Sequence, residues 1–263
     1  MLRLLLFGLL LLPSLTARDA AAEDPKKILN LCTIDYPSDA TVAWECHRLK
    51  PGETAETLFG DSWRDVLRFN RVDRRHLSPG VSLKVPKNLE DVADFTPMPR
   101  FYPEAENEAK FLLVDLSEQF LGAYEFGRLV HSFPIASGDR ENPTPTGDFR
   151  ITAFDRRHAS TLYKIEKTDI PYPMHYALRF FVNRRWVSFW LHGRDVPGFP
   201  ASHGCIGLYD EEMQKRYYHF PREPLLQDAR ILYEWVVSPL PDSGGFTPLR
   251  EGPRLRIVGE PPL

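Results

Sequence analysis

The sequence predicts a mainly β chain: a strand-rich domain over residues 110–237 with a few short helices, preceded by a small α+β unit over residues 48–86. Three observations predict it. Period-two alternation with hairpin signals dominates from Lys110 onward; residues 48–86 read strand, helix, helix, strand; and a Pro-rich linker over 87–109, with Pro97, Pro99 and Pro103 and few periodic apolar positions, separates the two. A chain of 263 residues with 43% hydrophobic and 12% aromatic content has ample material for a packed core. The net charge of -3 shows no basic excess, so no nucleic acid partner is expected.

Residues 1–22 fit a signal peptide, with Arg3 in a short basic start, an apolar run from Leu4 to Leu12, a breaker at Pro13 and small residues ending in Ala20-Ala21-Ala22. That run is about half of the roughly 20 residues a membrane span requires. Export to the periplasm or cell envelope is therefore expected, with cleavage near Ala22 or Ala17 and no stable membrane span afterwards. Residues 23–47 are mixed in character and hold Cys32 and Cys46. In an oxidising compartment these two could form a disulfide, worth about 3 kcal/mol for a loop of that size. Cys205 is then the odd thiol.

Within 48–86, "RLKPGE" suggests a strand and turn, Thr54 caps a helix that Gly60 stops, and Trp63, Val66, Leu67 and Asn70 recur at helical spacing. Val81, Leu83 and Val85 then alternate as a strand. In the larger domain, "KFLLVDLSEQFLGAYEFGRLVHSFPIASG" alternates through Phe111, Leu113 and Asp115, turns near Ser117, runs from Phe120 to Phe126, turns at Gly127 and returns through Leu129 to Ile135. A turn at Pro145 to Gly147 leads into a strand over Phe149 to Thr152, and "WVSFWLHG" is a strand ending at His192-Gly193. "DEEMQKRYYHF" is a helix capped by Asp210, with acids in its first turn and bases later, as the helix dipole favours. "ILYEWVV" reads as a strand. Residues 238–263 form a C-terminal extension, of which Pro239 to Pro253 is rich in Pro and Gly and expected to be peripheral.

The densest reactive stretch is "LHGRDVPGFPASHGCIGLYD", residues 191–210. A cysteine nucleophile needs a neighbouring base, and two histidines are candidates. His203 is two residues before Cys205; His192 ends a strand, and a hairpin-like return of the loop could bring it against Cys205. Gly204 would let a substrate carbonyl approach the main chain, so the N–H groups of Gly204 and Cys205 are candidate oxyanion donors. His192, His203, Cys205 and Asp195 could alternatively ligate a metal, although no paired CxxC or HExxH spacing is present. A third reading makes the histidines hydrogen-bonded core residues and the thiol an inert hydrophobe.

This stretch resembles the catalytic domain of the L,D-transpeptidases (YkuD-type), whose signature is a histidine-glycine pair at a strand end, a loop, and "SHGC(I/V)R(L/M)". Here those are His192-Gly193 and Ser202-His203-Gly204-Cys205-Ile206-Gly207-Leu208, and the likeness extends back through "TPTGDF" to "FLLVDLSEQFL". The resemblance implies an L,D-transpeptidase-type β-sandwich with Cys205 as nucleophile and His192 as proton acceptor and donor. Gly193 would give backbone support, Ser202 the turn, and His203 and Gly204 the shape of the oxyanion pocket. Two features depart from the pattern. Gly207 stands where arginine is usual, a cation that Arg194 or Arg179 could replace in binding substrate, and the loop between His192 and Cys205 is short. Residues 48–86 resemble the LysM module in Pro51-Gly52-Glu53-Thr54, Phe59-Gly60, Leu67 to Asn70, Leu77-Ser78-Pro79-Gly80, Leu83 and Val85-Pro86. That likeness implies affinity for glycan containing N-acetylglucosamine.

Together the resemblances imply an enzyme of cell wall biogenesis and cell shape that cross-links peptidoglycan stem peptides with release of D-alanine and needs no cofactor. With water as acceptor the same site would be an L,D-carboxypeptidase. A non-catalytic peptidoglycan-binding protein and a secreted cysteine hydrolase of another substrate are the alternatives.

Overall fold

The computed structural model describes residues 30–262; the expected signal peptide and residues 23–29 lie outside them. In the N-terminal unit, β1 (Trp44–Arg48) pairs antiparallel with the strand that closes the unit, and α1 (Ala55–Phe59) and α2 (Trp63–Phe69) lie between them. That closing strand is β2 (Ser82–Pro86). Thr54 starts α1 with a reciprocal capping box: its hydroxyl accepts the Thr57 N–H at 3.2 Å while the Thr57 hydroxyl accepts the Thr54 N–H at 2.9 Å. Gly60 ends the helix at φ +53, a conformation that suits a residue without Cβ. A disulfide joins Cys32 to Cys46, tying the turn at Leu31–Thr33 to β1.

The larger unit runs β3 (Phe111–Asp115), β4 (Phe120–Glu125), β5 (Arg128–Pro134), β6 (Gly147–Arg150), β7 (Ala153–Asp155), β8 (Ala159–Lys164), β9 (Pro171–Pro173), β10 (Ala177–Val182), β11 (Ser188–Arg194) and β12 (Ile206–Tyr209). Two helices follow, α3 (Glu211–Tyr218) and α4 (Asp228–Val237), and then β13 (Thr247–Pro248) and β14 (Arg254–Val258). Two five-stranded sheets result, ordered β5-β4-β3-β14-β6 and β12-β11-β10-β7-β13, and β8 and β9 form a separate hairpin. The core between the sheets takes Leu112, Val114 and Leu121 from the first, Leu178, Leu191 and Ile206 from the second, and one face of α4. Among the described residues, no helix is long and apolar enough to cross a membrane.

Four expectations are corrected. The strand β3 does not alternate between core and solvent: Leu112 and Val114 enter the sandwich core, while Phe111 and Leu113 pack into a second core shared with the N-terminal unit. Both of its faces are buried, which is why "FLLV" is a continuous apolar run. The segment "ILYEWVV" is helical, because Ala229, Leu232, Tyr233, Val236 and Val237 follow the spacing of one helix face and bury it. The stretch Pro239 to Pro253 is not peripheral throughout, since Thr247 and Pro248 pair with β7 at the edge of the second sheet, and the extension beyond it supplies β14, which lies between β3 and β6 and buries Leu255 and Ile257. Nor do residues 87–109 act as a spacer, for Val92, Phe95, Met98 and Ala105 are buried in the shared core.

That shared core encloses an ionic cluster. The Arg71 guanidinium is fully buried at φ +52, contacts Asp39 and Glu118 at 3.1 Å each and donates to the Ser38 hydroxyl at 2.7 Å. Its planar cation also lies 4.0 Å from the Tyr36 ring centroid. Lys84 is the second cation and contacts Asp39, so two positive and two negative groups balance. Glu118 comes from the larger unit and the other three from the smaller. Removing one member strands buried charge, so Arg71→Ala is expected to destabilise the protein by about 3–5 kcal/mol in urea unfolding. A loss below about 1 kcal/mol would contradict this reading of the cluster.

Candidate active site

Strand β11 runs parallel to β12, with Leu191 opposite Ile206 and His192 opposite Gly207. The return to Cys205 is therefore not hairpin-like. The intervening loop leaves the sheet, crosses the N-terminal unit and comes back. The N-terminal unit holds it there: the Asp73 carboxylate accepts the Val196 N–H at 2.7 Å, the Asp73 N–H donates to the Val196 carbonyl at 2.8 Å, and Val72 bridges to Pro197. Tyr36 donates its hydroxyl to the Gly198 carbonyl at 2.8 Å. Gly198 sits at φ +96 with the Leu31 side chain where a Cβ would be.

The register fixes which side chains meet. Leu191, Ile206 and Leu208 enter the sandwich core, so by alternation Trp190, His192, Arg194, Cys205 and Gly207 share the opposite face. Cys205, His192 and Arg194 all line one cavity of about 610 Å³, whose outer wall includes residues of the β8–β9 hairpin. His203 lines the same cavity, but its ring is exposed and stacks on Tyr163 of β8 with centroids 4.5 Å apart. This places His203 at the mouth, on the hairpin.

Hydrogen bonding assigns the tautomer of His192. Its Nδ1–H donates to the Gly193 carbonyl at 2.8 Å, which leaves Nε2 with the lone pair. Gly193 also donates its N–H to the His175 carbonyl at 2.8 Å, and a Cβ there would strike the Asp210 carboxylate at 2.3 Å. Asp210 is itself fixed as the cap of α3, accepting the Met213 N–H at 2.9 Å. Burial pushes His192 down to about 3, aided by the positive charge of Arg194, while the Gly193 hydrogen bond works the other way. Burial pushes the Cys205 thiol up, against a backbone hydrogen bond from Trp190 and the Arg194 charge. At neutral pH the resting pair is thiol and imidazole, both uncharged.

The motif turn is built by Ser202, which is fully buried. Its hydroxyl accepts the Gly204 N–H at 3.0 Å and donates to the Cys205 carbonyl. The Gly204 N–H is thus engaged, which leaves the Cys205 N–H as the remaining candidate of the two proposed oxyanion donors. Gly204 is demanded by φ +102 and by Phe189, which a Cβ would meet at 2.5 Å, so backbone conformation and packing alone account for a glycine here. Thr144, from "TPTGDF", donates to the Gly204 carbonyl at 3.0 Å and accepts the Gly138 N–H at 2.9 Å.

Gly207 has an equally direct cause. A Cβ at 207 would lie 2.0 Å from both Cγ and Cδ of Arg194, so the stem of Arg194 fills the volume that a side chain at position 207 would enter. From there Arg194 donates to the carbonyls of Asp195 at 3.2 Å and Ala201 at 3.1 Å. Arg179 reaches the cavity from β10, its guanidinium 5.1 Å from the Phe246 ring and 5.9 Å from that of Trp190. Asp195 does not converge with the histidines; it accepts from Gln214 at 2.9 Å and lies 3.7 Å from Arg75. Among the described residues no group of three His, Cys, Asp or Glu side chains is arranged to hold a metal.

Several contributors escaped the sequence reading. His158 pairs with Asp155 at 3.2 Å and lies 4.3 Å from the Trp190 ring inside the cavity. The spacing of Asp155 and His158 in "FDRRH" was the available signal. Tyr36 and Asp73 gave none, because their contacts join distant parts of the chain.

Residues 109–239 match the family described as YkuD, the L,D-transpeptidase catalytic domain. Among solved structures, the chain is similar to L,D-transpeptidase 1 of Mycobacterium tuberculosis (18% identity over 57% of this chain and 62% of that one, TM-score 0.37). It is also similar to residues 123–326 of the L,D-transpeptidase of Xylanimonas cellulosilytica DSM 15894 (23%, 73% and 78%, TM-score 0.42). L,D-transpeptidase 3 of Mycobacterium tuberculosis, solved with a faropenem-derived adduct, is a third (18%, 57% and 60%, TM-score 0.36). The chain spans about three fifths of the length of the two Mycobacterium tuberculosis proteins. No curated protein matches the chain significantly.

Two outcomes are expected. Gly207→Ala costs about 1–3 kcal/mol by overpacking against Arg194, and adding Arg194→Ala recovers part of that loss; simple additivity of the two changes would refute the shared volume. The rate of Cys205 alkylation by iodoacetamide rises with pH through a midpoint above the ordinary thiol range. A plateau of fast alkylation near pH 5 would instead indicate a preformed thiolate–imidazolium pair.

Proposed function

We propose that this chain, which carries a YkuD-type L,D-transpeptidase catalytic domain over residues 109–239, is an exported enzyme that transfers acyl groups between peptidoglycan stem peptides through Cys205. The observation that carries the reading is the convergence of Cys205 and His192 on one face of the β11–β12 pair, lining a single cavity. The Cys32–Cys46 disulfide is in keeping with an oxidising compartment outside the cytoplasm.

The chemistry follows from the two uncharged groups. Nε2 of His192 takes the thiol proton as the sulfur attacks the carbonyl of the diamino acid that precedes D-alanine. The N–H of Cys205 faces the developing oxyanion. As the C–N bond breaks, the imidazolium returns that proton to the departing amine, and D-alanine leaves a thioester on Cys205. The side-chain amine of a second stem then attacks the thioester, losing its proton to Nε2, and the thiol is restored. Burial leaves the resting imidazole uncharged, with the Nε2 lone pair free to accept, and makes the imidazolium a strong acid toward the departing amine; the same lowered proton affinity works against the first transfer, which therefore proceeds only as the sulfur bonds to the carbonyl. The N-terminal unit, with its LysM-like strand–helix–helix–strand order, supplies glycan affinity in this reading and keeps the catalytic domain on its polymeric substrate.

Mass spectrometry tests this directly. Incubation with a stem tetrapeptide or with a carbapenem is expected to add one acyl group at Cys205, with free D-alanine released from the peptide. Cys205→Ala abolishes the adduct, and His192→Gln slows its formation by roughly 10²- to 10⁴-fold. A folded protein that forms no adduct would overturn the catalytic reading, and an adduct that persists in Cys205→Ala would overturn the nucleophile.

A further inference from the structure

The cavity that holds Cys205 is electrostatically one-sided. Lys164, Arg179, Arg185 and Arg194 line it together with three histidines, and among the described residues no Asp or Glu does, although the chain as a whole carries a net charge of -3. Cations concentrated in a concave, partly apolar site focus a positive potential where a ligand must enter.

The four cations are not equivalent. Lys164 is paired with the exposed Asp169 at 2.7 Å. Arg185 lies on an exposed turn, and Arg194 commits Nε and one of its two terminal nitrogens to the Asp195 and Ala201 carbonyls. Arg179 differs from all three. It is half-buried and held over Trp190 and Phe246, and its side chain donates only Nε, to the Thr152 hydroxyl at 3.2 Å. Both terminal nitrogens remain available in a fixed plane. That is the geometry with which arginine takes a carboxylate through two parallel hydrogen bonds.

Its position relative to the nucleophile is set by the sheet. Arg179 is opposite Trp190 in the β10–β11 pair, and Cys205 immediately precedes Ile206, which is opposite Leu191. Arg179 and Cys205 therefore lie two strand spacings apart, roughly 10 Å. Between them the indole of Trp190, in one apolar cluster with Met174, gives an apolar floor, suited to the methylene run of a diamino acid.

We propose that Arg179 seats a carboxylate of the donor stem peptide, so that the enzyme selects donors in which that group is free and not amidated. The proposal rests on the acyl-transfer reading above and adds a specificity determinant to it. Two carboxylates in a donor qualify: that of the diamino acid side chain and that of the C-terminal D-alanine.

The test uses the full chain and three tetrapeptide donors: both carboxylates free, the side-chain group amidated, or the C-terminal group amidated. The rate of Cys205 acylation at low donor concentration is the readout. One amidated donor is expected to react roughly 10- to 100-fold more slowly than the free donor, and its identity names the seated carboxylate. Arg179→Gln brings the free donor down to that same level and erases the discrimination, while Arg179→Lys, which keeps the charge without the fork, retains part of it. Alkylation of Cys205 by neutral iodoacetamide, which needs no carboxylate seat, falls far less than acylation in both variants, so the ratio of the two rates isolates the seat. Equal rates for all three donors on the unmodified chain, or discrimination that survives Arg179→Gln, would overturn the proposal while leaving acyl transfer intact. A chain that no donor acylates, with Cys205 still alkylated, overturns the acyl-transfer reading and the carboxylate seat with it.

Discussion

Four consecutive residues, Arg71 to Arg74, hold the two units of this protein together, and the candidate site depends on them. Each faces the larger unit and each makes a different kind of contact. Arg71 completes the buried charge cluster with Glu118, Val72 bridges to Pro197, Asp73 clamps Val196, and Arg74 binds Glu211 of α3 through two nitrogens at 2.7 and 2.5 Å. Two of these four contacts fall on the loop between His192 and Cys205. A parallel pair of strands cannot be joined by a tight turn. The loop must travel outward, and the N-terminal unit supplies the surface on which it travels. The unit to which the proposed function gives glycan binding thus also supports the loop between His192 and Cys205.

Electrostatics in the site act through exclusion of water. Burial keeps both thiol and imidazole uncharged at rest, and Arg194 biases both titrations toward fewer protons. The cavity is left with a positive field and no internal counter-charge. In the proposed reaction such a field would favour the negative oxygen that forms as the carbonyl becomes tetrahedral, so Arg194, which adds to burial in holding His192 neutral, would also assist the transition state. Gly207 and Arg194 show how the cation is delivered. Two adjacent strands offer two backbone origins for one volume, and here the side chain enters from β11 while β12 yields.

Much of this was legible in the chain because the signals are local. The helix caps at Thr54 and Asp210, the odd cysteine beside a histidine and two glycines, and the strand ending at His192-Gly193 each occupy a short window. The failures share the opposite character. The alternation through Phe111 and Leu113 does not reveal that both faces of β3 are buried, because their partners in the second core lie in the distant N-terminal unit. Residues 231–237 were misread because their β-branched and aromatic residues mimic a strand, and the helical spacing becomes plain only when Ala229 is included. The short loop before Cys205 suggested a hairpin because the N-terminal unit that supports its wider path is far away in sequence. Arg179 and Arg194 were singled out as substitutes for a missing arginine, yet only the geometry separates the one that fills the volume beside Gly207 from the one whose donors stay free.

The place of β14 bears on the order in which the protein can be assembled. Strand β3 is hydrogen-bonded on one side by β4, which follows it closely, and on the other by β14, near the end of the described chain. As synthesis proceeds, β3 and β4 can pair early, but the other edge of β3 stays open until residues 254–258 emerge, and β6 has no neighbour in this sheet until then. An unpaired apolar edge is a site for wrong partners. The shared core with the N-terminal unit covers one face of β3, but its open edge is closed only by β14, so one of the last-made segments of the described chain completes the middle of the sheet.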